Sequence, residues 1–161
     1  MHLHRLGAKD ALSIEFISDG APWIWNRLNW VIEKVGIDPN KVTRVLDFWH
    51  AAHHISLTLE RLGVPDEQRR EKFQALRRDL RMGRWRSVVA ELEGLAAERQ
   101  LKPGHEAFQG IEYLRIHGES DHLQYLMCKR KRITRGSGAI ESTIRRVINL
   151  RMKGNGIFWK E

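Results

Sequence analysis

Within its first fifty residues the chain places a β-forming run, a helical run and a second β-forming run, and this order constrains its fold more than any other feature. Ser13-Ile14-Glu15-Phe16-Ile17-Ser18 alternates polar and apolar residues and is rich in β-formers, which reads as a strand. Asp19-Gly20-Ala21-Pro22 ends it, with Pro22 placed where a helix opens. Trp23, Leu28, Val31, Ile32 and Val35 then recur at helical spacing up to Gly36, and Asp38-Pro39-Asn40 marks a turn. Val42-Thr43-Arg44-Val45-Leu46-Asp47 reads as the second strand, running into Phe48-Trp49-His50. Strand, helix and strand in about 35 residues make a βαβ unit, with parallel strands and a right-handed crossover.

Beyond residue 50 the periodicity is helical. It predicts one helix from Ala51 to Leu62, a second from Asp66 to about Met82 and a third from about Trp85 to Gln100. Phe108, Ile111, Leu114 and Ile116 predict a fourth that ends at Gly118, and Ser120 is read as the cap of a short one through Met127. A two-stranded sheet is marginal by itself, so the expected class is α/β, mostly helical, and part of a larger α/β domain. Composition narrows the function classes. No apolar run approaches the roughly 20 residues that span a bilayer. Met1-His2-Leu3-His4-Arg5-Leu6 carries no signal-peptide stretch. The one cysteine, Cys128, excludes an internal disulfide framework and a cysteine cluster around zinc. With 28 Lys and Arg against 20 Asp and Glu, a formal charge of +8, the expectation is an intracellular protein facing nucleic acid.

The most informative stretch is Arg135-Gly136-Ser137-Gly138-Ala139-Ile140-Glu141-Ser142, leading to Arg151-Met152-Lys153-Gly154-Asn155-Gly156. Ser137 is a natural N-cap, Ile140, Ile144, Val147 and Ile148 form an apolar stripe, and Gly154 is the stop. Glu141 then sits near the first turn, inside a basic field of Lys129, Arg130, Lys131, Arg132, Arg135, Arg145, Arg146, Arg151 and Lys153. One acid among so many cations suits a metal ligand beside a phosphate backbone. On spacing alone it better suits an exposed glutamate paired with Arg145 one turn on. Asp19 is either a turn residue or a carboxylate at the edge where α/β sites open. Asp47 and His50, three residues apart, share a face on a helical turn, a spacing that allows a hydrogen bond. His53 and His54 extend that cluster; a zinc site from Asp47, His50 and His54 is weaker than a histidine-rich exposed helix face. Trp23, Trp25, Trp30 and Trp49 crowd one part of the chain, and the expectation for most is burial in the core, with base stacking as the other use.

Gly136-Ser137-Gly138-Ala139-Ile140-Glu141-Ser142, with Arg151-Met152-Lys153-Gly154-Asn155-Gly156 and Trp159, resembles the end of the catalytic core in Kra-type bacterial insertion-sequence transposases. These are DDE enzymes with a ribonuclease H-like core, related in plan to Mutator-like elements. Asp19-Gly20-Ala21-Pro22-Trp23-Ile24-Trp25-Asn26 looks like the family's block around its second catalytic aspartate, and Leu46-Asp47-Phe48-Trp49-His50 is similar to the Asp-x-x-His motif that follows it.

The resemblance implies a partial ribonuclease H-like core: a βαβ part over 13–50, a helical insertion over 51–134, and a catalytic-glutamate helix and tail over 135–161. It implies Asp19 and Glu141 as catalytic and metal-binding carboxylates for Mg²⁺ or Mn²⁺, with Asp47 and His50 as a supporting motif. The basic residues around Glu141 would contact DNA. The family's first aspartate lies on an earlier strand, and only 18 residues precede Asp19, too few for the intervening elements. The alternative numbering, Asp19 first and Asp47 second, is disfavoured by the single βαβ step between them. The expectation is therefore a C-terminal fragment of a transposase core, truncated at both ends and inactive alone. Its partners would be mobile-element ends and target DNA at a bacterial nucleoid, with no membrane. Two alternatives stand beside it: a non-catalytic basic DNA-binding protein, and a helical module that pairs with a full-length transposase.

Overall fold

The computed structural model describes residues 2–132 together with residues 135 and 136. A short helix, α1 (His2–Arg5), and a 3₁₀ turn (Ala8–Asp10) precede strand β1 (Ile14–Ser18). Helix α2 (Pro22–Val35) opens on Pro22, whose missing N–H costs nothing in the first turn. It stops at Gly36, in the left-handed region at φ 73°, where the Gly36 N–H caps the Glu33 carbonyl. Asp38 caps a second 3₁₀ turn (Pro39–Lys41) through Asn40 N–H, and β2 (Val42–Leu46) follows. The strands pair in parallel, with Ile14 opposite Val42 and Ser18 opposite Leu46. The α/β, mostly helical architecture and its parallel pair are as the sequence pattern predicts.

Helix α3 (Phe48–Arg61) begins three residues earlier than the periodicity indicates, because the Asp47 side chain accepts from the N–H groups of Trp49 and His50 and caps the helix immediately after the strand. Helices α4 (Asp66–Arg81), α5 (Trp85–Glu98), α6 (Ala107–Glu119) and α7 (Tyr125–Arg130) complete the described part. Ser120 is not the start of the short helix: its N–H closes the end of α6 on the Ile116 carbonyl, and α7 starts five residues later. The helix expected over 137–154 lies outside the described residues.

Helix α3 is the centre of the packing, with α4 and α6 against it and α5 between those two. Ala51, Ile55 and Leu59 of α3 meet Leu76 and Leu80 of α4, Leu92 of α5 and Ile111 and Leu114 of α6 in one buried cluster. Val45 and Leu46 of β2 belong to that same cluster, so the βαβ unit and the helices share a core. A smaller cluster, Leu28, Ile32, Val35 and Ile37, joins α2 to the sheet face carrying Ile14, Phe16 and Val42. The α6–α7 connection covers the outer side of β2: His122 C=O accepts from Leu46 N–H, and Tyr125 O–H donates to Leu46 C=O at 2.9 Å.

The tryptophans overturn the expectation of burial. Trp23, Trp49 and Trp30 are 72%, 56% and 40% exposed, and Trp25 is only partly buried. At 100° per residue, Trp23 and Trp30 point away from the stripe of Trp25, Leu28, Ile32 and Val35 that meets the sheet. Trp49 likewise stands off the Ala51–Ile55–Leu59 face of α3.

Candidate functional site

Because Ser18 and Leu46 are register partners, the next residues of the two strands, Asp19 and Asp47, emerge side by side at the carboxyl edge. Asp47 N–H donates to Ser18 C=O at 2.7 Å and keeps the two strand ends together. Asp19 is exposed; its Oδ1 accepts from Ala21 N–H at 3.1 Å, an Asx turn, and from Ser18 Oγ–H at 3.3 Å. The turn is also held from far along the chain, where Tyr113 of α6 donates its hydroxyl to the Asp19 carbonyl at 2.6 Å. Only glycine fits next: Gly20 has φ 88°, and a Cβ there would lie 2.4 Å from Tyr113 Oη, 2.7 Å from Leu46 Cδ1 and 2.8 Å from His117 Nε2.

Behind this turn runs a column of rings. His54 of α3 stacks on Tyr113 at 3.7 Å, Tyr113 meets His117 edge-on at 4.6 Å, and His122 stacks on Trp25 of α2 at 4.2 Å. His117 and His122 share a hydrogen bond between their Nδ1 atoms at 3.0 Å. Burial holds the histidines neutral. It takes His54 and His122 down to about 4, helped by neighbouring His53 at the first and His117 at the second. His117 is lowered by the same burial, against a hydrogen bond to the Gly20 backbone that works the other way. The Tyr113 hydroxyl is raised, by burial first and then by the nearby Asp19 and Asp47 charges.

Asp47 differs from Asp19. Its side chain is 3% exposed, and its Oδ1 accepts from Trp49 N–H at 2.7 Å and His50 N–H at 3.4 Å. The Asp47–His50 side-chain hydrogen bond that the spacing allows is not formed, since His50 Nδ1 stands 3.9 Å from that oxygen; the backbone cap takes its place. His53 is exposed and His54 faces Tyr113, so the histidines of α3 do not converge with Asp47 on a common point.

The basic segment returns to this edge. Phe48 N–H donates to Arg135 C=O at 2.9 Å, and a Cβ on Gly136 would lie 3.4 Å from Asp47 Oδ1 and 3.2 Å from Trp49 Cδ1. Lys129, Arg130, Lys131 and Arg132 are exposed on the approach to it. Among the predicted residues, Asp19, Asp47, His50 and Arg135 are thus brought to one region, while Glu141, Arg145, Arg146, Arg151 and Lys153 lie outside the described residues. Tyr113, His117 and His122 were not legible as partners of this edge. Their helical spacing places Tyr113 and His117 on one face of α6, but nothing local ties that face to a strand 94 positions away.

The donor chemistry at the edge, carboxylate oxygen at an exposed turn, suits a hard divalent cation. The number of donors falls short of a closed set: among the described residues no three His, Cys, Asp or Glu side chains gather to hold a metal ion. No helix among them is long and apolar enough to cross a membrane. Comparisons with protein-family models, curated proteins and solved structures found no match.

Proposed function

We propose that the edge carrying Asp19 and Asp47 is the DNA-facing part of a transposase catalytic core of the ribonuclease H-like, Kra-type DDE kind. The observation that carries this reading is the seating of Arg135 and Gly136 against Asp47, which brings the basic segment to the edge where Asp19 is exposed. Glu141 follows Gly136 by five residues, and five extended residues reach at most about 17 Å. Asp19 and Glu141 would hold Mg²⁺ or Mn²⁺, which when bound supplies activation of a water or 3′-hydroxyl and stabilisation of the leaving oxygen in phosphodiester transfer.

The chain's own residues have separate tasks. Ala21 N–H and Tyr113 O–H orient the Asp19 turn. Asp47 organises the backbone at the start of α3. The exposed cations of 129–132, with Arg135, hold phosphates. The buried histidines, neutral at pH 7, add no charge behind the carboxylates. A basic DNA-binding domain without catalysis is the second reading, favoured by the incomplete donor set among the described residues.

The test combines DNA affinity with metal response. Anisotropy of a labelled duplex should show log affinity falling with log salt by several units, and Arg130→Gln, Lys131→Gln and Arg132→Gln together should flatten that slope by up to about 2.7. With DNA bound, a Mn²⁺ titration followed by its paramagnetic signal should weaken in Asp19→Ala and in Glu141→Ala, while DNA binding persists. An unchanged Mn²⁺ response in both variants would leave the non-catalytic reading. Binding indifferent to salt would instead favour the helical module that pairs with another transposase.

A further inference from the structure

Of the exposed tryptophans, Trp49 is the one tied by its own backbone to the Asp47 carboxylate. Its backbone N–H donates to Asp47 Oδ1, so the ring is anchored one step from the strand edge. Three neighbours set its orientation. Phe48 meets it edge-on at 5.5 Å, the Gly136 backbone lies against its Cδ1 side, and Arg77 of α4 places its guanidinium 5.1 Å from the ring centroid. One turn along α4, Arg81 stands 5.3 Å from the Phe48 ring.

Several cations in this corner have no carboxylate partner among the described residues. Arg69, Arg84, Arg99 and Arg115 each have a carboxylate within ion-pair reach. Among the described residues Arg77, Arg81 and Arg135 have none, and neither have the cations of 129–132. An open indole with a planar guanidinium on it, bordered by cations that have no ion pair among the described residues, offers one surface for a flat π-system and another for phosphates. A duplex fills only the second, because its bases are stacked on one another. An acidic peptide would use the cations and leave the indole idle. The geometry points to Trp49 as a stacking platform for an unpaired base, on a DNA strand whose phosphates lie across Arg77, Arg81 and Arg135. This rests on the DNA reading above and adds that the strand beside Asp19 is unpaired.

The experiment compares three labelled DNAs by anisotropy at one low salt concentration: a single strand, the blunt duplex of the same sequence, and that duplex with a short 3′ overhang. The single strand and the overhang should bind more tightly than the blunt duplex. Trp49→Ala should lower single-strand affinity about tenfold, the scale of one stacked base, and leave the blunt duplex unchanged; Trp49→Phe should keep part of the preference. Trp49 is exposed, and an unaltered melting temperature by circular dichroism would show that the variants fold. Iodouracil in the overhang should photo-crosslink to the peptide that contains Trp49. Equal affinity for paired and unpaired DNA, an equal loss for both in Trp49→Ala, or crosslinks confined to other peptides would overturn the platform while sparing the DNA reading. Failure of all three DNAs to bind would overturn both.

Discussion

Single residues at the strand edge carry consequences that are measurable without any substrate. Folding holds His54 and His122 at about 4, whereas the unfolded chain takes up their protons near 6.5. The unfolded state therefore binds more protons in this window. The stabilisation is complete above about pH 6.5 and is lost as pH falls toward 4. Urea denaturation between pH 7 and 5 should show stability declining by about 1 kcal/mol per pH unit for the well-buried His122, and less for His54, which water reaches more easily. His122→Asn should flatten that decline; an unchanged slope would place its origin elsewhere. Gly20 gives a second measurement. Gly20→Ala sets a Cβ against Tyr113 Oη, Leu46 Cδ1 and His117 Nε2 at a φ of 88°, and should cost about 2 kcal/mol or more in chemical denaturation. Wild-type stability in that variant would mean that α6 does not clamp the turn. Asp19 and its glycine stood out from the sequence as a turn after a strand. Tyr113 did not, because a tyrosine among apolar residues of a helix looks like any half-buried ring.

At the scale of elements, the junction between β2 and α3 shows how a single side chain decides a boundary. Phe48-Trp49-His50 continues a β-forming run, and periodicity alone delays the helix to Ala51. The Asp47 carboxylate satisfies two N–H groups of the first turn and makes the switch immediate. Asp47→Ala should lose about 1–2 kcal/mol of stability, with Asp47→Ser restoring most of it; equal melting temperatures for all three proteins would remove the cap from the account. Ser120, a good cap by type, shows the reverse: the chain turns through the His122 and Tyr125 contacts with Leu46 before α7 begins. Helix packing is equally specific. Gly118 of α6 lies so close to the Trp85 ring that a Cβ would come within 2.3 Å of it, so Gly118→Ala should displace the indole and alter its near-ultraviolet circular dichroism.

For the whole molecule, the unequal cores divide the stability. β2 is embedded in the large cluster with α3 to α7, whereas β1 and α2 are held by the small cluster around Leu28, Ile32 and Val35. Hydrogen exchange should therefore find the amides of α3 and of Val45 and Leu46 the slowest, and those of α2 faster; uniform protection would show that the two clusters open as one. The strand–helix–strand order, the parallel pairing, the helices that follow among the described residues and the basic character of the chain were all determined by sequence alone. Each depends on neighbours a few positions apart or on a simple sum of charges. Tertiary structure decided that Asp19 and Asp47 stand together, that Tyr113 and His117 hold their turn, that Arg135 and Gly136 return to Asp47, and that Trp49 faces water. Those facts depend on which helix faces meet across long stretches of chain, and packing energy summed over the entire core sets that, not any local pattern.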